Sequence, residues 1–163
     1  MSLLDIDERL IEIANMADIV YSPLADVKEF PDGVDITLVE GAVSSEDDSE
    51  RINRIRERTR ILVSLGDCAV TANVSGMRNR FAVRDLLDRA YRENASQPLD
   101  GLARIPEEVV PGLHHSARPV HEVVNVDVYV PGCPPHADAI YFVLTELLAG
   151  RFPDLTGKTR FGI

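Results

Sequence analysis

Val126-Asp127-Val128-Tyr129-Val130-Pro131-Gly132-Cys133-Pro134-Pro135 runs directly into an amphipathic segment over residues 136–149. Apolar residues at every second position mark a strand, and apolar residues at helical spacing mark a helix. A strand therefore hands over to a helix through a turn whose cysteine is flanked by prolines. Proline fixes φ, removes an N–H group and pushes the preceding residue out of the α region. The Cys133 thiol is thus held on a rigid turn above the sheet edge, as suits a thiolate ligand that must be kept still. Cys68 stands in the same kind of place, after the strand Ile61-Leu62-Val63-Ser64-Leu65 and the turn Gly66-Asp67.

Outward from these two turns, strands and helices alternate. Leu3, Ile6, Leu10, Ile13, Ala14 and Ala17 recur at helical spacing and predict a helix over 3–16. Ser2 and Asp5 suit its start, and Asp5, Asp7 and Glu8 put negative charge in its first turn. Ile19-Val20-Tyr21 predicts a short strand ended by Ser22-Pro23, and Asp32-Gly33 a turn. Residues 34–39 predict a buried strand ending at Glu40-Gly41-Ala42. An acidic, serine-rich loop over 44–50 then leads into a helix through Ile52 and Ile55 to about Arg58. A polar turn over 73–80 precedes a helix over 81–91. Four prolines and two glycines break the pattern over 94–122, which predicts a long loop. Gly150 suits the end of the last helix, and 151–163 form a tail.

This alternation argues a single α/β domain over 1–163 built on a parallel sheet. In such sheets functional groups gather outside the carboxyl ends of the strands. Glu40, Asp67, Cys68 and Cys133 all fall at predicted carboxyl ends and are expected on one rim.

Composition narrows the function classes. The chain has 163 residues, 45% of them hydrophobic, and 27 acidic against 17 basic residues give a net charge of -10. That balance argues against a nucleic-acid partner. The basic runs over 51–60 and 78–92 alternate with acids and apolar positions, so they predict solvated helix faces or a docking surface for another subunit. No apolar run approaches the roughly 18 residues of a membrane span, and no signal peptide is visible. Two cysteines make no disulfide framework, which favours free thiols in a reducing, cytoplasmic setting.

The residues themselves leave the cysteine chemistry open. A free cysteine commonly packs as a small hydrophobe or serves redox signalling, whereas two at strand ends of one sheet suit metal or cluster ligation. Zinc lacks its usual partners: His136 lies three residues after Cys133, with no such neighbour beside Cys68. Iron–sulfur clusters commonly take four thiolates, two more than this chain holds. Glu40 either caps a loop or serves as a proton-relay group near the rim. His114, His115, His121 and His136 pair with no serine or cysteine in a nucleophilic pattern, and no phosphate-binding glycine loop occurs.

With these residues in view, the chain resembles the small subunit of soluble, NAD-reducing nickel–iron hydrogenases. It is more distantly similar to the 20 kDa cluster-bearing subunit of respiratory complex I. The stretches that carry the resemblance include Leu3-Leu4-Asp5-Ile6-Asp7-Glu8, Tyr21-Ser22-Pro23, Val39-Glu40-Gly41-Ala42-Val43, Gly66-Asp67-Cys68-Ala69-Val70-Thr71, Met77-Arg78-Asn79 and Pro131-Gly132-Cys133-Pro134-Pro135. The resemblance implies a flavodoxin-like, three-layer α/β/α fold carrying one [4Fe-4S] cluster beside the nickel–iron site of a separate large subunit. Cys68 and Cys133 match the third and fourth of four cysteine ligands, and Glu40, Asp67 and Thr71 become candidates for supporting those ligands or relaying protons. It also implies electron transfer toward a flavin-containing diaphorase that reduces NAD, in the cytoplasm. Whether FMN binds at the rim is not decided by the sequence.

The departure from the family lies at the start. The first, central strand and the Cys-x-x-Cys after it have no counterpart here, because the sequence opens at the family's Met-Ser. Three origins are open: a displaced start or truncation, a cluster-less paralogue acting as an interaction protein, or a site completed by another molecule. A complex I-like, quinone-linked module is the alternative to hydrogenase. Met77-Arg78-Asn79 is the expected part of the large-subunit contact.

Overall fold

The computed structural model describes residues 4–22, 27–94 and 105–159. Three parallel strands form the main sheet: β1 (Val34–Glu40), β3 (Thr59–Leu65) and β5 (Val128–Val130), in the order β1-β3-β5. Helices cover both faces. The alternation along β3 sets the layers: Val63 and Leu65 pack with α1 (Arg9–Met16) and α6 (Ala137–Leu148) through Ile13, Ile140, Val143 and Leu147. Leu62, one residue out of phase, packs on the other side with Ile52 of α2 (Glu46–Arg58) and Ala69 of α3 (Asp67–Thr71). The predicted three-layer α/β/α arrangement on a parallel sheet is borne out.

One residue in this sheet is at odds with its surroundings. Ser64 is fully buried, and its Oγ has no hydrogen-bond partner among the described residues. An unmet buried hydroxyl costs about 1–3 kcal/mol. Ser64→Ala is therefore expected to raise stability by about 1 kcal/mol. A higher urea midpoint at unchanged slope would show it, and a lower midpoint would count against an orphaned hydroxyl.

Several elements differ from the sequence reading. The helix predicted over 3–16 is split: a 3-10 turn at Leu4–Ile6 is followed by Asp7 at φ 59, and the α-helix starts only at Arg9. The acidic segment over 44–50 is no loop. It forms β2 (Val43–Ser45) and the first turns of α2, because Ser45 and Asp48 make a capping box. The Ser45 hydroxyl accepts from the Asp48 N–H, and the Asp48 carboxylate accepts from the Ser45 N–H. Burial alone would raise the Asp48 pKa, yet hydrogen bonds from Ser44 and Ser45 outweigh it and hold the carboxyl below its ordinary value. The polar turn predicted over 73–80 holds a short helix, α4 (Asn73–Gly76), and the predicted helix over 81–91 is shorter, α5 (Val83–Asp88), and ends in a wide π-type turn at Arg89–Glu93.

The long loop predicted over 94–122 also contains structure. Residues 95–104 lie outside the described residues, while β4 (Leu113–Arg118) pairs antiparallel with β2, and Val120–Glu122 make a 3-10 turn. Two side chains hold that ribbon: Arg78 Nη2 donates to the carbonyls of Ser44 and His114, and the Asn79 amide exchanges two hydrogen bonds with the Ala117 backbone. No hydrophobic period announces β4, because its residues are mostly only half-buried or exposed and tertiary contacts create it.

The segment Ile19-Val20-Tyr21 forms no strand. Ile19 and Val20 are 69% and 47% exposed, and among the described residues nothing pairs with them. A strand needs a ladder partner to satisfy its backbone. The outer edge of β1 likewise has no partner among the described residues, and β1 is half-buried along most of its length where the sequence predicts a buried strand. At the other end of the chain the prediction holds: Gly150 at φ 75 closes α6, with its N–H on the Leu147 carbonyl and the Arg151 N–H on that of Glu146.

Candidate metal centre

Register aligns the carboxyl ends of the three strands, since Glu40 pairs with Leu65 and Leu65 with Val130. Just beyond each lies a glycine at positive φ: Gly41 at 86, Gly66 at 84 and Gly132 at 141. These conformations favour glycine and let each chain turn sharply away from the sheet. A single rim results, and it carries Glu40, Asp67, Cys68 and Cys133 as the sequence predicts.

The two cysteine turns are bonded to each other. The Gly66 N–H donates to the Val130 carbonyl at 2.7 Å, and the Asp67 N–H to the Gly132 carbonyl at 2.8 Å. In return the Gly132 N–H donates to Asp67 Oδ1 at 2.6 Å. Pro135, which is buried, packs beside the same contact: a Cβ on Gly66 would lie 3.6 Å from its Cδ. The Cys133–Pro134 peptide is cis. Cys68 is half-buried in the first turn of α3, Cys133 is exposed, and both thiols are free.

The other predicted residues fall into distinct roles. Glu40 is exposed at the end of β1 with no hydrogen-bond or ion-pair partner among the described residues. Thr71 Oγ1 donates to the Asp67 carbonyl one turn earlier, an ordinary back-bond within α3. Asp67 is engaged in the bonds just described. Three histidines have other partners: His114 Nε2 is 2.7 Å from Ser49 Oγ, His121 stacks edge-on against Tyr129, and His136 faces Asp138. Among the described residues no three His, Cys, Asp or Glu side chains converge on one point. Two free thiols on mutually bonded turns of one rim have the ligand chemistry that an iron–sulfur group takes, and among the described residues they do not make a complete site.

Sequence reasoning missed two roles. Gly132 is required by its backbone, since a Cβ there would lie 2.6 Å from Pro135 Cα. Asp67 links the turns; its place directly before Cys68 is the one available signal. In the Met-Arg-Asn run, Arg78 and Asn79 bond to this chain's own backbone, while Met77 is 61% exposed.

Residues 1–147 match the family described as the NADH ubiquinone oxidoreductase 20 kDa subunit. The chain belongs to this family. Within it, the chain is 41% identical over 156 residues to the HoxS subunit delta of the NAD-reducing hydrogenase of Cupriavidus necator, covering 95% of this chain and 75% of that protein. It is 35% identical over 159 residues to one vhu subunit of the F420-non-reducing hydrogenase of Methanocaldococcus jannaschii, covering 97% of this chain and 54% of that protein. Among solved structures, a chain of an NAD+-reducing [NiFe]-hydrogenase in the H2-reduced state superposes with a TM-score of 0.89 at 37% identity, covering 94% of this chain and 85% of that one. The hydrogenase small-subunit resemblance read from the motifs is thus borne out. Among the described residues no helix of this family member is long and apolar enough to cross a membrane.

Proposed function

We propose that this chain is the electron-transfer small subunit of a cytoplasmic nickel–iron hydrogenase, not catalytic alone. It relays electrons from the nickel–iron site of a large subunit, through one [4Fe-4S] cluster, toward diaphorase subunits that reduce NAD. The observation that carries this reading is the pair of free cysteines on two mutually hydrogen-bonded turns at one sheet rim. Cys68 and Cys133 are two of the four ligands. The cluster, when bound, supplies one-electron storage; the chain's own part is to hold two thiolates at fixed positions and to offer Glu40 on the same rim as a proton-relay candidate.

The remaining two ligands come from outside the described residues. The open edge of β1 and the exposed Ile19-Val20 stretch support a further parallel strand there, and the family resemblance implies the Cys-x-x-Cys that it would carry at the same rim. Such a strand would complete the flavodoxin-like order, and Ile19-Val20-Tyr21 would pair with it.

Iron analysis of the anaerobically purified, complete complex tests the assignment. Wild type is expected to hold about four irons at this site, and Cys133→Ser to lose most of them. Unchanged iron content and cluster spectra in the variant would refute the ligand role.

A further inference from the structure

The bonds between the cysteine turns are of two kinds. Backbone bonds such as Gly66 N–H to Val130 continue the β3–β5 ladder and need no particular side chain. The bond from the Gly132 N–H to Asp67 Oδ1, at 2.6 Å, depends on one carboxylate. Together with the bond from the Asp67 N–H to the Gly132 carbonyl, it closes a reciprocal clasp between two residues. Each of them directly precedes a cysteine. A hydrogen bond from an amide to a carboxylate is roughly twice as strong as a neutral one, so this clasp is a stiff link between the two thiol-bearing turns.

We propose that Asp67 is a positioning residue: by clasping Gly132 it sets the separation and orientation of Cys68 and Cys133 for an iron–sulfur group. The inference rests on the ligand reading of the two cysteines, and it replaces a proton-relay role for this carboxylate. A second consequence concerns the amide itself. Hydrogen bonds to cluster sulfurs help set the reduction potential, and backbone N–H groups beside a ligand cysteine are their natural donors. In this chain the Gly132 N–H is already committed to Asp67, so losing the carboxylate would free a donor directly before Cys133.

Two substitutions separate position from charge. Asp67→Ala removes the acceptor, whereas Asp67→Asn keeps Oδ1 and removes only the charge. In the iron-free full chain, amide-resolved hydrogen exchange is the readout. Asp67→Ala is expected to speed exchange at Gly132 by about tenfold or more, with Asn near wild type and the amides of β3 unchanged. In the loaded complex, Ala is expected to release iron to a chelator several-fold faster and to alter the electron paramagnetic resonance line shape, both restored by Asn. Wild-type iron release and line shape in Asp67→Ala overturn the proposal. So does faster exchange throughout β3 and β5, which would make Asp67 a general stabiliser. Iron content and cluster spectra left unchanged by Cys133→Ser overturn the underlying cluster reading, and that failure is seen separately from the Gly132 exchange result.

Discussion

Gly132→Ala is expected to destabilise the fold by about 3–5 kcal/mol, from backbone strain plus overpacking. Its φ of 141 is a conformation side chains rarely adopt. A Cβ would also lie 2.6 Å from Pro135 Cα, 2.8 Å from Pro135 N and 2.9 Å from the Pro134 carbonyl oxygen. These are backbone atoms, so no side-chain rotation relieves the clash and the turn itself must move. Gly150→Ala provides the comparison. It sits at φ 75 with nothing within 4 Å of the added carbon, so only the conformational cost of about 1–2 kcal/mol applies. Urea unfolding of both variants measures the difference, and equal losses would sink the steric argument. Because the moved turn carries Cys133, Gly132→Ala should also lose iron where Gly150→Ala keeps it.

Asp127→Ala should cost about 2–3 kcal/mol, chiefly by orphaning a buried donor. Asp127 Oδ2 accepts from the Leu62 N–H at 2.7 Å and from Arg56 Nη1 at 2.6 Å, while the Asp127 N–H donates to the Leu62 carbonyl at 2.9 Å. The side chain thus stands in for a strand backbone just before the β3–β5 ladder begins at Val63 and Val128. Leu62 is fully buried in the folded chain, and its N–H loses the Asp127 carboxylate that accepts from it. Arg56 retains the carbonyls of Thr59, Arg60 and Asn125, and at 23% side-chain exposure its ion pair is partly screened. Most of the loss therefore belongs to Leu62. Asp127→Asn keeps an acceptor and should cost clearly less. Equal losses in the two variants would place the effect on the ion pair instead.

The elements that are legible in the chain share a property: their signal is local. The nearly unbroken apolar run Ile61-Leu62-Val63-Ser64-Leu65 reports burial on both faces of β3, and Gly150 reports the end of α6. The capping box at Ser45 and Asp48 is equally local, but the acids around it imitate a solvated loop and mask it. Asp7 at positive φ and the orphaned Ser64 hydroxyl carry no such mark.

The amino-acid order alone settled the fold class, the family and the placing of two cysteines at strand ends, because burial periodicity and proline-locked turns are written residue by residue. Only the assembled molecule decided that Ile19-Val20-Tyr21 has no ladder partner among the described residues, that β4 exists, and that Asp67 reaches across to Gly132. Those depend on partners 65 residues away for the clasp and on ladder neighbours for the strands. A hydrogen bond between distant turns leaves no period in a sequence; it exists when the sheet brings its two ends together.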